Sequence, residues 1–262
     1  MIGKNPARVS DAGGFFCAAE ATRFTFRMVT CIVIIERYLQ PAFPAHRSRF
    51  AGMNGRNDMK LKVLAVSDHE SEFIWDYFDA KVFQGVDVIV SCGDLKAEYL
   101  SFLVTMIPAP LLYVRGNHDE RYAQNPPEGC IDLEEKPVVV KGVRFVGFGG
   151  CKSARPAPNH YTERDMNNRI LKASFRLPKR SFDVLVTHAP AAGFGDGEDS
   201  YHEGFDAFVR LIDKYRPGYH LHGHQHMTYS IGTQRVMQYN ATTIVNAYNY
   251  YLFDMEFPDK ET

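Results

Sequence analysis

An α/β fold with parallel strands lying under crossover helices is predicted by two features of the sequence. From residue 61 onward short apolar runs alternate with helical stretches, and five of the apolar runs are followed at once by Asp, Asn or His. Leu61 to Ser67 is a β-rich run that reads as a buried strand, and Glu72 to Gln84 reads as a helix with Phe73, Trp75, Phe78 and Val82 at its apolar positions. Val86 to Ser91 is the next strand, Ala97 to Ile107 the next helix and Leu111 to Arg115 a third strand, which completes a βαβαβ unit. Pro137 to Val140 and Val143 to Phe148, joined by Lys141 and Gly142, read as a hairpin that extends or faces this sheet. Thr162 to Ala173 is helical, with Thr162 as N-cap and Asp165 in the first turn. Phe182 to Thr187 is a strand, Gly204 to Tyr215 a helix, Tyr219 to His222 a strand, and Thr243 to Met255 is again strand-like.

Composition bounds what such a fold is for. The chain has 262 residues, 45% apolar and 23% charged, which is ordinary for a globular protein and excludes collagen-like repeats, coiled coils and wholesale disorder. Lys plus Arg number 30 against 31 Asp plus Glu, so no global basic field exists to hold nucleic acid or an anionic membrane. The apolar run Met28 to Ile35 falls far short of the roughly 20 residues that span a bilayer, and Lys4 and Arg8 precede too short an apolar patch for a secretory signal. A cytoplasmic location is the expectation. Five cysteines without a Cys-x-x-Cys pair suggest reduced thiols, not a disulfide framework or a thiolate zinc cage. Residues 1–58 show no sustained period, whereas Met59 opens directly onto a strand. We therefore expect residues 1–58 to be a disordered extension or an upstream in-frame translation, and 59–262 to be the folded domain.

The chemistry gathers just after the strands. Asp68 follows the first, Gly93-Asp94 the second, Gly116-Asn117-His118-Asp119 the third, His188 the strand of Phe182 to Thr187, and His224 and His226 the strand of Tyr219 to His222. In open α/β sheets ligands bind in the crevice outside the carboxyl ends of the strands, so these side chains are expected to converge. Taken singly, Asp68 reads as a cap or turn residue, Gly116-Asn117 as a turn pair and His188 as a core histidine; taken together they read as ligands. Hard oxygens plus imidazole, with no sulfur, suit Mn, Fe, Zn, Ni or Mg. The set is too large for one tetrahedral ion and suits two, about 3.5–4 Å apart, sharing a carboxylate.

Gly93-Asp94, Gly116-Asn117-His118-Asp119, Thr187-His188 and Gly223-His224-Gln225-His226, in this order and spacing, resemble the calcineurin-like metallophosphoesterases, from about Leu61 to Ala247. The resemblance implies a four-layer α/β/β/α sandwich of two mixed sheets, with a dimetal site at one edge. It implies that Asp94 bridges two divalent metals, Mn first among the choices, that Asn117, His188 and His224 complete one site, and that Asp68 and His226 belong to the other. It further implies that His118, oriented by Asp119, is the catalytic histidine near the leaving group. The implied reaction is hydrolysis of a small phosphodiester or phosphomonoester by metal-bridging hydroxide, with His118 as general acid.

One position departs from the family pattern. Where the family has Asp, any residue, then His, this chain reads Asp68-His69-Glu70. On a strand that continues one step, residues 68 and 70 share a face, which makes Glu70 the geometric candidate for the missing ligand and His69 the shifted alternative. His220 and His222 are assigned to structural or orienting roles, and His69, His160 and His202 are left unassigned. Arg115 and Asn159 are substrate candidates, with Lys152, Arg155 and His160 nearby, and Ala191 to Gly204 is a candidate lid. Two other readings stay open: a protein-interaction scaffold on the same fold, which the Glu70 departure keeps alive, and a nuclease, for which the balanced charge shows no basic channel.

Overall fold

The structure, a computed structural model, describes residues 59–177, 182–197, 202–227 and 234–257; the expectation for residues 1–58 lies outside them. The first sheet is built from β1 (Met59–Ser67), β2 (Val88–Ser91), β3 (Leu111–Tyr113), β4 (Ile131–Asp132) and β13 (Asn249–Phe257), in the order β13-β1-β2-β3-β4. β1, β2, β3 and β4 run parallel, as the βαβαβ pattern requires, and β13 closes the edge antiparallel to β1. The second sheet takes β5 (Pro137–Val140), β6 (Val143–Phe148), β9 (Val184–Thr187), β10 (Tyr219–His222), β11 (Val236–Tyr239) and β12 (Thr242–Asn246), in the order β11-β12-β10-β9-β6-β5. A third, two-stranded sheet pairs β7 (Cys151–Lys152) with β8 (His160–Tyr161).

Side-chain alternation along β1 explains the layering. Leu61, Val63 and Ala65 point to one face, where they meet Val184, Val186, Leu221 and Phe145 of the second sheet, so the two sheets lie face to face over a dry core. Leu64 and Val66 point to the other face, under α1 (Glu72–Trp75) and α2 (Ala97–Met106), through Ile74, Tyr99, Leu100 and Leu103. The outer face of the second sheet is covered by α3 (Glu163–Ser174) and α4 (Asp206–Tyr215), through Met166, Phe208, Leu211 and Ile212. The result is the four-layer α/β/β/α sandwich.

The short strands β4, β7, β8 and β11 are not expected from the sequence, and two expected elements come out differently. The helix expected over Glu72 to Gln84 stops after Trp75, and the rest is turns. Asp79 Oδ1 accepts from the Lys81 N–H at 2.9 Å, so the side chain takes a backbone donor that a helix would need, while Phe78 and Phe83 still pack, rings 5.5 Å apart. The run Thr243 to Met255 is two strands in different sheets: β12 lies parallel to β10, and after Ala247 and Tyr248 the chain crosses to pair β13 with β1. Asn249, at φ 65°, makes the turn that apolar patterning does not register. The hairpin of β5 and β6 turns through Lys141 and Gly142, both at positive φ, and belongs to the facing sheet. No helix among the described residues is long and apolar enough to cross a membrane.

Candidate metal centre

The carboxyl ends of β1, β2 and β3 from one sheet and of β9 and β10 from the other open onto the same edge, and backbone hydrogen bonds tie the turns to each other. Asp68 N–H donates to Gly93 O at 3.1 Å, Val114 N–H to Ser91 O at 3.1 Å and Gly223 N–H to His188 O at 2.9 Å. Three of the non-glycine turn residues adopt left-handed backbone: Asp68 (φ 64°), Asp94 (φ 56°) and His224 (φ 66°). Each such conformation costs about 1–2 kcal/mol and persists where surrounding contacts over-determine it, as they do at functional sites. The glycines beside them permit the close approach: a Cβ on Gly116 would overlap the Asp94 carboxylate, and one on Gly223 would overlap Ser67 Oγ and crowd Asp68.

His188 is the buried hub. Its Nδ1 lies 2.8 Å from Cys92 O, which leaves Nε2 facing Asn117 Oδ1 at 2.9 Å and Asp94 Oδ2 at 3.3 Å. Donor atoms of Asp94, His188 and His224 all lie within 4.8 Å of one another. Next to them, Asp68 accepts the His224 N–H on both oxygens, at 3.1 and 2.9 Å, and its Oδ1 stands 3.9 Å from His226 Nε2. His118 N–H donates to Asp94 Oδ1 at 2.8 Å while its side chain is exposed at the mouth. Asp119 Oδ2 accepts from the Asp94 N–H at 2.8 Å and the Gly116 N–H at 2.7 Å, so it clamps the second and third strand ends together.

The charges are poised against one another. Burial alone would raise the Asp94 carboxyl, but the His188 imidazolium and the hydrogen bonds it and His118 give hold it down at about 2. Burial would lower His188, yet Asp94 and Asp68 raise it to about 10. Asp68, its side chain 1% exposed, is raised by burial, and Asp119 is raised by burial to about 6. The Asp94 and Asp68 carboxylates beside the His188 and His224 imidazoles form an oxygen-and-nitrogen donor set whose negative charge a divalent cation would offset. The residues fit such an ion.

The other expected site residues are engaged with protein partners. Glu70 Oε1 accepts from the Lys96 N–H at 3.0 Å, ahead of α2, and Oε2 lies 3.6 Å from Lys96 Nζ. The His69 ring stacks on Tyr248, centroids 6.4 Å apart. Arg115 pairs with Asp132 at 3.1 Å, and Asn159, at φ 55°, offers its carbonyl to the Cys151 N–H at 3.0 Å. Lys152 Nζ binds Glu203 Oε1 at 2.6 Å. In the candidate lid, Asp196 accepts from the Gly193 N–H at 2.9 Å and the Gly204 N–H at 3.3 Å, while 198–201 lie outside the described residues. Two neighbours, Tyr248 and Asn246, escape the sequence reading, and His202 has no role in it. Tyr248 packs on His226 at 4.9 Å and His202 on His224 at 5.3 Å, whereas Asn246 Nδ2 donates to Gln225 O at 2.8 Å and holds the last histidine turn. Asn246 ends β12, so the rule of polar residues at strand ends would have found it had that strand been delimited.

A sandwich of two mixed sheets thus carries, at its strand ends, an Asp94–His188–His224 group that could hold a metal ion. The calcineurin-like phosphoesterase family model matches residues 61–228, and the chain belongs to that family. It is similar to the UPF0046 protein K07C11.7 of Caenorhabditis elegans, 25% identical over 215 residues that cover 71% of this chain and 69% of that one. Its fold is similar to that of TT1561 of Thermus thermophilus, with a TM-score of 0.53 at 18% identity, over 76% of this chain and 99% of that one.

Proposed function

We propose that the protein is a metal-dependent hydrolase of a small phosphodiester or phosphomonoester. The observation that carries this reading is the convergence of Asp94, Asn117 and His224 on His188, with Asp68 and His226 alongside. Asp94, Asn117, His188 and His224 would hold one cation and Asp68, Asp94 and His226 a second, Mn being our first choice. Such cations supply Lewis acidity, acidifying water and neutralising charge on the phosphoryl oxygens. The chain's own residues do the rest. The Asp94 carboxylate fixes the His118 backbone, the Asp119 clamp fixes the turn, and the exposed His118 imidazole reaches the substrate. A water oxygen attacks phosphorus as the ester P–O bond breaks, the departing oxygen takes its proton from His118, an assistance worth about 10²–10⁴-fold, and the proton the water gives up passes to solvent, from which His118 is reprotonated.

The test is hydrolysis of bis-p-nitrophenyl phosphate beside p-nitrophenyl phosphate with added Mn²⁺, with bound metal quantified in parallel. Wild type is expected to turn over one or both in a metal-dependent way; His118→Ala should keep its metal and lose at least about 100-fold in turnover. Full activity in His118→Ala would remove the proposed acid. The engagement of Glu70 with Lys96 favours a second reading, a scaffold with a weak first site, and this takes over if metal binds and neither ester is touched.

A further inference from the structure

We infer that Glu134 and Arg169, neither of which touches the metal-binding group, are positioning residues that set the spacing between Asn117 and His188; this rests on the metal-site reading above. Glu134 lies on the segment after β4, and its two oxygens serve different sheets. Oε1 accepts from the Arg115 N–H at 3.1 Å, at the exit of β3 and one residue before Gly116-Asn117-His118. Oε2 accepts from the Gly149 N–H at 3.1 Å, at the exit of β6.

The β6 exit in turn brackets His188, whose N–H donates to Phe148 O at 3.3 Å while the Ala189 N–H donates to Gly150 O at 3.3 Å. One carboxylate therefore spans the turn that carries Asn117 and the turn that seats His188, the two side chains that meet at 2.9 Å. The crossing is reinforced by the Gly150 N–H to Arg115 O bond at 2.7 Å, and a Cβ on Gly149 would overlap both Glu134 Oε1 and Arg115 O.

Arg169, on α3, holds that carboxylate in place, and each of its three guanidinium nitrogens donates a hydrogen bond. Nη2 donates to Glu134 Oε2 at 2.7 Å, Nε to Glu135 Oε1 at 2.7 Å and Nη1 to Gly149 O at 2.8 Å, and the plane lies over the Tyr161 ring at 4.2 Å. Glu135 adopts φ 56°, a left-handed backbone that brings both neighbouring carboxylates to the same guanidinium. The side chains are mostly buried, 15% exposed for Arg169 and 18% for Glu134, so solvent screens the pair little. Groups hydrogen-bonded directly to metal ligands typically govern metal affinity by about 10–100-fold; Glu134 acts through the backbone beside Asn117 and His188, so an effect at the low end of that range is expected.

Mn²⁺ titration of the full chain by calorimetry tests the assignment, with Glu134→Ala, Glu134→Gln and Arg169→Met as variants. Arg210→Met, which breaks the Arg210–Glu163 pair at 2.7 Å and the Arg210–Asn167 bond at 3.0 Å at the start of α3, is the control. Expected is a loss of about 10-fold or more in Mn²⁺ affinity for Glu134→Ala and Arg169→Met, a smaller loss for Glu134→Gln, which keeps an acceptor for Arg115, and none for Arg210→Met. Amide hydrogen exchange at Asn117 and His118 in the metal-free protein gives a second readout, expected to quicken in Glu134→Ala more than at core strand amides. Wild-type affinity in Glu134→Ala and Arg169→Met, with only the melting temperature lowered, would overturn the inference. If wild type itself binds no Mn²⁺, the metal-site reading fails, and the exchange rates alone decide whether the brace exists.

Discussion

Gly116 shows how little room the site leaves at the scale of one residue. Its missing side chain is where the Asp94 carboxylate lies, so Gly116→Ala forces either the β3 turn or the carboxylate to shift. We expect Gly116→Ala to fold with a normal far-ultraviolet spectrum and to lose most of its bound metal, as measured by metal analysis after dialysis; retained stoichiometric metal would show that the turn has slack. His222 supplies a second test of the same kind. It is fully buried with Nδ1 3.0 Å from Gly223 O, and burial lowers it from 6.5 to about 4. Between those two values the unfolded chain binds a proton that the folded chain refuses, so His222 makes stability rise with pH across the window. Its contribution is complete above about 6.5 and is lost as pH falls toward about 4, at up to about 1.4 kcal/mol per pH unit. Urea unfolding of chelator-treated protein at pH 5 and 7 should therefore show a smaller pH difference for His222→Gln than for wild type. Equal differences would place the proton elsewhere.

At the scale of elements, α3 is the helix whose start the sequence announced most fully, and its cap is measurable. Thr162 Oγ1 accepts from the Asp165 N–H at 3.2 Å and Asp165 Oδ2 accepts from the Thr162 N–H at 3.1 Å, a reciprocal capping box. Thr162→Ala is expected to cost about 1 kcal/mol in chemical denaturation. A change below about 0.3 kcal/mol would mean that packing of Met166 and Arg169 alone fixes the helix start. This legibility had a local cause, since caps, turns and strand-end polar residues are written in adjacent positions. Asp68, Asp94, Asn117, His188, His224 and His226 could be picked out because each follows an apolar run. Glu70 could not be placed by strand alternation because β1 ends at Ser67 and Asp68 turns left-handed, which breaks the period on which its orientation depended. The division of Thr243 to Met255 between two sheets was equally hidden, because both halves are apolar and only the conformation of Asn249 separates them. Glu134 and Arg169 were invisible for a third reason: beyond their own ion pair, what they tie together is the backbone of residues 115 and 149, which no side-chain pattern encodes.

At the scale of the whole molecule, the proposed ligand set straddles the interface between the sheets. Asp68, Asp94 and Asn117 come from the first, His188, His224 and His226 from the second, and the apolar core between the sheets ends where these side chains begin. Without a cation the edge is held by the Asp94–His188 pair at 3.3 Å and by the Asp68 bonds to His224. A cation seated among donors from both sheets exists only while the sheets are docked, so its binding free energy adds to that of folding. At a free concentration about 100 times Kd this amounts to about 2.7 kcal/mol, or about 5–10 °C in melting temperature for a domain of this size. His188 is held protonated by Asp94, and imidazole must lose that proton from Nε2 to become a ligand, so the stabilisation should also grow with pH between 6 and 8. The expected outcome is a concentration-dependent rise in melting temperature with Mn²⁺, larger at pH 8 than at pH 6, reversed by chelator and absent in Asp94→Ala. A rise that survives in Asp94→Ala would locate the ion away from the sheet edge, and no rise with any of Mn²⁺, Zn²⁺, Ni²⁺ or Mg²⁺ would mean that the Asp94–His188 pair is itself the finished structure.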